Sequence, residues 1–371
     1  MDPKNRLNDD ESQVNQHIER VRARRPRLTD THITLAHGAG GKASAALVDA
    51  VFLEGYGNGV LAELGDAGVT SLDDLLPDGL AGHSLAFSTD SYVVNPIEFP
   101  GGSIGELAVN GTVNDLAVSG AVPALISAAF ILEEGLSIDT LRRIVANMRA
   151  AAEVAGVRIV TGDTKVVPHG AGDQLFITTA GIGIIPRDRR VGPGEVQRGD
   201  KVLISGAIAD HGMAVMLARG DLAIDAPIVS DTRAVNRLTA ALFEAAPGTR
   251  WLRDATRGGL GTVLNELAQA TGLGVMIEET QVVVHDMTRG ACDMLGIDPL
   301  YVANEGTFVA VVPAAEAEAG VAALRALPGG EEAGLIGRIV AEPAASVVMV
   351  TGFGGTRMVD MLVGDPLPRI C

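Results

Sequence analysis

Apolar residues recur along this chain at two spacings, and the places where the spacing changes separate strands from helices. Residues 1–32 follow neither. They are polar and charged, with a basic run at Arg22, Arg24, Arg25 and Arg27, and are expected to form a disordered arm. A short strand at Ile33-Thr34-Leu35 leads through His37-Gly38-Ala39-Gly40-Gly41-Lys42 into a helix over residues 43–52, apolar at Ala46, Leu47, Ala50 and Val51. Residues 85–90 read as an apolar strand ending in polar groups, 105–118 as a helix rich in small residues, and 124–130 as a buried strand. A spacing of three to four returns over residues 138–155, which predicts an amphipathic helix. Strands at 157–160 and 175–180 are expected to flank a polar loop.

Charge, Pro and Gly cluster at 186–199, which marks a domain boundary. Beyond it, 201–206, 275–278 and 307–312 read as strands and 260–271 as a helix. The elements alternate without a uniform βαβ period. They predict an α/β (α+β) fold of mixed sheets flanked by helices, with domains at 33–188 and 189–350. Residues 351–371 form a tail in which Gly352, Gly354, Gly355 and Gly364 act as swivels behind Pro366 and Pro368, and the last residue is Cys371.

Composition narrows the function classes. The 371 residues are 47% hydrophobic but only 3% aromatic, so Ala, Val, Leu and Ile must build the core. A net charge of −17 argues against nucleic acid as a partner, because neutralising phosphates needs a basic surface. No apolar run is long enough to span a bilayer. Two cysteines without zinc or CxxC spacing, and no signal peptide, point to the cytoplasm.

Several short motifs could carry chemistry. In the 37–42 segment, small residues before a helix let backbone N–H groups approach phosphate oxygens, with Lys42 adding charge; a plain glycine turn is the alternative. Asp90, Asp115 and Asp163 lie at strand ends or on a glycine-containing helix, as Mg²⁺ bridging nucleotide phosphates requires; each could equally be a cap or turn residue. Asp254-Ala255-Thr256-Arg257-Gly258-Gly259 opens a helix with a guanidinium beside it, as an anion site or a capped start. Glu305, before a buried strand, is either a general base or a turn residue. Cys292 reads as a packing thiol. Cys371 is a mobile thiol to which position alone gives no reaction.

Taken in order, Gly40-Gly41-Lys42, Phe87-Ser88-Thr89-Asp90-Ser91, Asn110 through Ala117, Gly162-Asp163-Thr164-Lys165, Asp254 through Gly259 and Ala303-Asn304-Glu305-Gly306 resemble the aminoimidazole ribonucleotide synthetase-like (PurM-like) ATP enzymes. With Pro368-Arg369-Ile370-Cys371 at the end, residues 33–371 resemble the hydrogenase expression/formation family of carbamoyl dehydratases. The resemblance implies a homodimer with ATP bound between the N-terminal domains. It implies nucleotide binding by Gly40, Gly41, Lys42, Asp90, Asn114, Asp115, Asp163, Asp254, Arg257, Gly258 and Gly259, with Mg²⁺ on Asp90, Asp115, Asp163 and Asp254. A carbamoyltransferase, HypF, would load Cys371 with a carbamoyl group. ATP-dependent dehydration, with Lys165 and Glu305 acting on that group, would yield a thiocyanate. Its cyanide would pass to iron on a HypC–HypD scaffold. The alternative within the superfamily is an enzyme acting on a free small molecule, of the selenide, thiamine-phosphate or purine-pathway type. A non-enzymatic thiol carrier is a third reading, and it leaves the Asp, Lys and Glu motifs unexplained.

Overall fold

The alternation that begins at Ser84 sets up the first of two sheets. In the computed structural model, described over residues 29, 41–47, 49, 68–71, 82–220 and 226–362, five strands pair in the order β1-β2-β7-β5-β6. These are β1 (Gly68–Ser71), β2 (Ser84–Tyr92), β5 (Val122–Glu133), β6 (Arg158–Val167) and β7 (Leu175–Ile185). Only β5 and β6 run parallel; the other pairs are antiparallel. A two-stranded ribbon, β3 (Glu98–Phe99) with β4 (Gly102–Ser103), precedes the helices.

Helix α1 (Lys42–Leu47) belongs to one compact unit, and the described residues from Gly68 to Leu362 belong to another. In the latter, α2 (Ile104–Val118) and α3 (Ile138–Ala155) cover one face of the first sheet. Ile104, Leu107, Ile126, Ile144, Leu175 and Ile177, all essentially inaccessible to solvent, form the centre of that packing. Helix α2 lies close to β7 because Gly181 has no side chain: a Cβ there would sit 2.5 Å from Thr112 Cγ2. The opposite face of the sheet is open. Along it Phe87, Ile182 and Leu125 line up across three strands, and Phe176 pairs with Ile131. Phe87 is 49% exposed.

The second sheet has seven strands in the order β14-β13-β10-β12-β8-β11-β9. They are β8 (Lys201–Ile204), β9 (Trp251–Asp254), β10 (Gly274–Glu278), β11 (Phe308–Val312), β12 (Gly334–Val340), β13 (Val347–Val350) and β14 (Thr356–Val359). Between β8 and β9 lie α4 (Asp210–Ala218) and α5 (Asn236–Ala245); α6 (Gly259–Thr271) follows β9, α7 (Asp286–Leu295) follows β10, and α8 (Ala317–Arg325) follows β11. Leu260, Leu264 and Leu267 of α6 pack on one face, while Leu238 and Leu242 of α5 and Leu324 of α8 pack on the other. Strand β11 sits between these layers, and all five of its residues are buried. A near-continuous apolar run is what a strand covered on both faces needs.

The loop expected between 160 and 175 is in its first part a strand. Gly162-Asp163-Thr164-Lys165 continue β6 in parallel register with Ala128 through Ile131. The sequence is polar there, as an edge strand tolerates, so apolar periodicity did not reveal it. The 33–35 strand, the arm, Gly40 and the tail with Cys371 lie outside the described residues, as does most of the helix expected beyond Leu47.

Candidate functional site

Strands β2 and β9, helix α2 and the loop before β11 converge on one cleft. It is lined by Asp90, Ser91, Tyr92, Gly111, Asp115, Asp254, Thr256, Arg257 and Glu305. Four carboxyl groups therefore face a common space. Asp90 projects from the α2-covered face of β2, where its Oδ2 accepts hydrogen bonds from Thr112 Oγ1 and Tyr92 OH, both at 3.2 Å. Asp115 extends from the last turn of α2 and accepts a 2.5 Å bond from Ser88 Oγ. Gly111 makes room for the tyrosine: a Cβ there would lie 2.1 Å from Tyr92 OH.

Asp254 ends β9, and Glu305 lies in the loop entering β11. Asn304 fixes the two relative to each other. Its Nδ2 donates to the carbonyl of Ala255 at 2.7 Å, and its Oδ1 accepts from the N–H of Ala209 at 2.7 Å. Ala209 holds a left-handed backbone (φ +79) to reach it. Asn114 clamps the same loop from α2, the helix that covers the first sheet. Its Nδ2 donates to the carbonyls of Arg233 and Glu305, and its Oδ1 accepts from the N–H of Val235. That amide is buried and its groups are occupied by main-chain partners.

The electrostatics follow from four acids sharing a poorly hydrated space. Burial pushes Asp254 up to about 6, with the charge of Asp90 adding to the rise and Arg253 opposing it. Burial holds Glu305 well above the usual carboxylate range, reinforced by Asp254, Asp231 and Asp90 and opposed by Arg257. Tyr92 is raised in the same way, first by burial and then by Asp90, Glu305 and Asp115. The site is short of positive charge. Among the described residues no three His, Cys, Asp or Glu side chains stand close enough together to hold a metal ion by themselves.

The structure thus brings together Asp90, Asp115, Asp254, Arg257 and Glu305 from the sequence-predicted set. Gly258 and Gly259 take left-handed backbone (φ +73 and +60) in the turn that opens α6, beside the cleft residues Thr256 and Arg257. Lys165 does not line the cleft. It is exposed on the edge strand β6, opposite Ile131. Asp163 is placed by register opposite Ala129. Gly41 and Lys42 are described in the other compact unit. Sequence reasoning did not single out Tyr92, Gly111 or Asp231. A tyrosine two residues beyond a strand-end aspartate, in a chain with three tyrosines, was the available signal for the first. Cys292 is buried in α7, and burial pushes its thiol up to about 11, followed by the charge of Asp293; a thiol so protonated is a poor nucleophile.

Two family models cover most of the chain: AIR synthase related protein, N-terminal domain, over residues 65–185, and AIR synthase related protein, C-terminal domain, over 197–350. A carbamoyl dehydratase HypE from Rhodobacter capsulatus is 53% identical over 347 residues, spanning 93% of this chain and 99% of that protein. The chain belongs to the carbamoyl dehydratase HypE family. Solved HypE structures agree in fold. HypE in complex with ATP is 46% identical with a TM-score of 0.75, covering 92% of this chain and all of that one. HypE in the HypE–HypF complex is 41% identical with a TM-score of 0.79, covering 85% of this chain and all of that one.

Proposed function

We propose that this chain is an ATP-dependent carbamoyl dehydratase that converts an S-carbamoyl group on Cys371 into a thiocyanate for the iron centre of nickel–iron hydrogenase. The observation that carries the reading is the cleft of four acids in a chain so close to HypE proteins along nearly its whole length. Amide oxygen is a poor leaving group, so loss of water from S–C(=O)–NH₂ near neutral pH needs activation. The carbamoyl oxygen attacks the γ-phosphorus of ATP and ADP departs. The phosphorylated oxygen then leaves as phosphate while two N–H protons are removed, and S–C≡N remains. Positioning and charge balance dominate such a transfer.

Asp90, Asp115 and Asp254 would hold the magnesium that accompanies ATP, and Asp163, which shares a face of β6 with Lys165, would reach it from a second subunit. Bound magnesium would supply charge neutralisation at the phosphates and relieve the repulsion among these acids. Arg257, with Gly258 and Gly259 at the start of α6, would face phosphate oxygens. Gly40, Gly41 and Lys42 are assigned to binding the nucleotide phosphates. Asn114 would serve the site through the backbone it clamps. Glu305 is the proton acceptor: a carboxyl with raised proton affinity is a stronger base than an ordinary carboxylate once the cleft charge is balanced.

Lys165 is assigned to orienting the carbamoyl group, and its position argues for a homodimer. The open face of the first sheet carries Phe87, Ile182, Leu125 and Ile131 beside the polar Thr89, Ser91 and Thr178, and a second copy of that face would cover it. Lys165 pairs with Ile131 on that face and so would be presented to the partner subunit's cleft. Domains at 33–188 and 189–350, a carrier tail at 351–371, loading by HypF, delivery to HypC–HypD and a cytoplasmic location complete the reading. No helix among the described residues is long and apolar enough to cross a membrane.

The test is the intact mass of carbamoylated protein before and after ATP. Loss of one water, about 18 Da, mapped to the C-terminal peptide supports the reaction, and Cys371→Ser abolishes it while ATP binding persists. Cyanide supply that survives removal of Cys371 would refute the reading.

A further inference from the structure

The loop carrying Glu305 is gripped on a side that faces away from the cleft. Asp231, half-buried in the segment before α5, accepts the N–H of Glu305 on Oδ1 at 2.9 Å and the N–H of Gly306 on Oδ2 at 3.0 Å. Both oxygens are committed to consecutive amides of one turn. The fit is close: a Cβ on Gly306 would stand 1.9 Å from the carbonyl oxygen of Asp231. Arg233, two residues on, donates from Nε to the carbonyl of Gly306 at 2.9 Å, so the segment holds donors and acceptors of the turn alike.

The segment is itself anchored to both domains. Ser230 N–H donates to the carbonyl of Pro100, and Ser230 Oγ hydrogen-bonds the buried ring of His211 through Nδ1 at 2.8 Å. Asn110 of α2 reaches Thr232, and Asn114 receives the N–H of Val235. Asp231 thus holds the N–H of Glu305 from a strap whose Arg233 N–H also reaches the Glu305 carbonyl. Asp231 itself is not among the residues that line the cleft.

We propose that Asp231 is a positioning residue for the dehydration, fixing the direction of the Glu305 side chain through the two consecutive backbone N–H groups it binds. This rests on the dehydratase reading, in which Glu305 accepts the carbamoyl protons. A carboxylate is the side chain that suits the job, since it offers one acceptor to each N–H in a fixed geometry. An amide offers one acceptor and turns a donor toward the second N–H, and alanine offers neither.

The test uses full-length carbamoylated protein and ATP, with water loss from the C-terminal peptide followed by mass against time. Asp231→Asn is expected to slow conversion about tenfold and Asp231→Ala about a hundredfold, the scale on which a misplaced catalytic group acts. The ATP concentration for half-maximal rate should stay within about twofold in both, because the displaced group acts on the carbamoyl rather than on the nucleotide. Hydrogen exchange of a peptide spanning Glu305 and Gly306 should quicken in Asp231→Asn while peptides from α2 and α6 keep their protection. Should Asp231→Ala fail to fold, the Asp231→Asn rate and exchange carry the test. Wild-type conversion in both variants overturns the proposal, as does a slowing matched by a parallel loss of ATP affinity and melting temperature. Glu305→Gln separates the two levels. If it dehydrates normally, the role of Glu305 and this proposal both fall; if it is inactive while Asp231→Asn is unaffected, only the role of Asp231 falls.

Discussion

Helices α2 and α3 lie side by side on one sheet and obey opposite rules. In α3 the buried residues Ile144, Met148, Ala151, Ala152 and Ala155 recur by threes and fours, and charged side chains fill the outer face. In α2, thirteen of fifteen residues are buried, so the helix has no water-facing stripe. Its buried polar residues Asn110, Thr112 and Asn114 therefore cannot be solvated and are answered inside the protein. Thr112 meets Asp90, Asp115 meets Ser88, Asn110 meets Thr232, and Asn114 meets the Glu305 loop. A polar residue on the outer face of α3 is unremarkable; Asn110, Thr112, Asn114 and Asp115 of α2 mark the site or the strap behind it. The lesson is that lost amphipathicity, combined with retained polar residues, is itself a sign of function.

The comparison breaks hardest at Gly111. Alanine there would place a methyl on the Tyr92 hydroxyl, moving either the tyrosine or α2 by an ångström or more. Gly111→Ala is expected to reduce dehydration by roughly a hundredfold, the penalty for displacing a preorganised site by that distance. Water loss by mass spectrometry measures it, with circular dichroism to verify that the helix content is kept. Near-normal activity would mean that the inner face of α2 tolerates what its packing says it cannot.

Asn114→Ala should act on stability. It strands the buried N–H of Val235 and removes the donor shared by the carbonyls of Arg233 and Glu305. An unpaired buried polar group costs about 1–3 kcal/mol, so a loss of about 3 kcal/mol or more is expected in denaturant unfolding. A change below about 1 kcal/mol would show that the strap is not held by this amide.

Much of the fold was legible from apolar rhythm alone. Helix α3 was expected over 138–155 and occurs as Ile138–Ala155; the strands at 85–90, 124–130 and 275–278 each lie inside an observed strand. These segments bury one face or both, and burial is what periodicity reports. Edge strand β6 shows the limit: its 162–165 stretch is polar, with Gly162 and Lys165 exposed, so nothing in its composition separated strand from loop. For the site, residue type found Asp90, Asp115, Asp254 and Glu305, because carboxylates beside glycine, at strand ends or before a buried strand, are visible in sequence. Asp231 was not visible. Its role depends on a contact with residues more than seventy positions away, and no local pattern encodes that.

Acidity tests the cleft that α2 helps to enclose. Asp254 has its folded pKa raised to about 6 by burial, above the ordinary value of about 4 expected in the unfolded chain. The fold thus favours the protonated acid. The stability this contributes is complete below about pH 4 and is lost as pH rises through about 6. Ligand-free protein should therefore lose melting temperature between pH 5 and pH 8, and Asp254→Asn should flatten that slope by calorimetry. Added magnesium and ATP should also flatten it by favouring the ionised form. An unchanged slope in Asp254→Asn would place the pH dependence elsewhere.

The smallest effect is expected on the outer face of α3, and it matters because it is the control for all the others. Arg142 Nη1 lies 2.9 Å from Asp139 Oδ1, a distance that on α2 would signal an obligatory pairing. Here the two side chains are 75% and 78% exposed, so water already solvates both charges. The Coulomb gain in high dielectric is small and is offset by the entropy of holding two long side chains together. Arg142→Ala should therefore change unfolding free energy by less than about 0.5 kcal/mol and leave the rate of dehydration as it was. Urea denaturation and the mass assay measure the two quantities on one preparation. If this variant were instead as damaging as Asn114→Ala, the contrast between the helices would not be one of burial, and the argument from buried polar residues to a functional site would lose its physical basis.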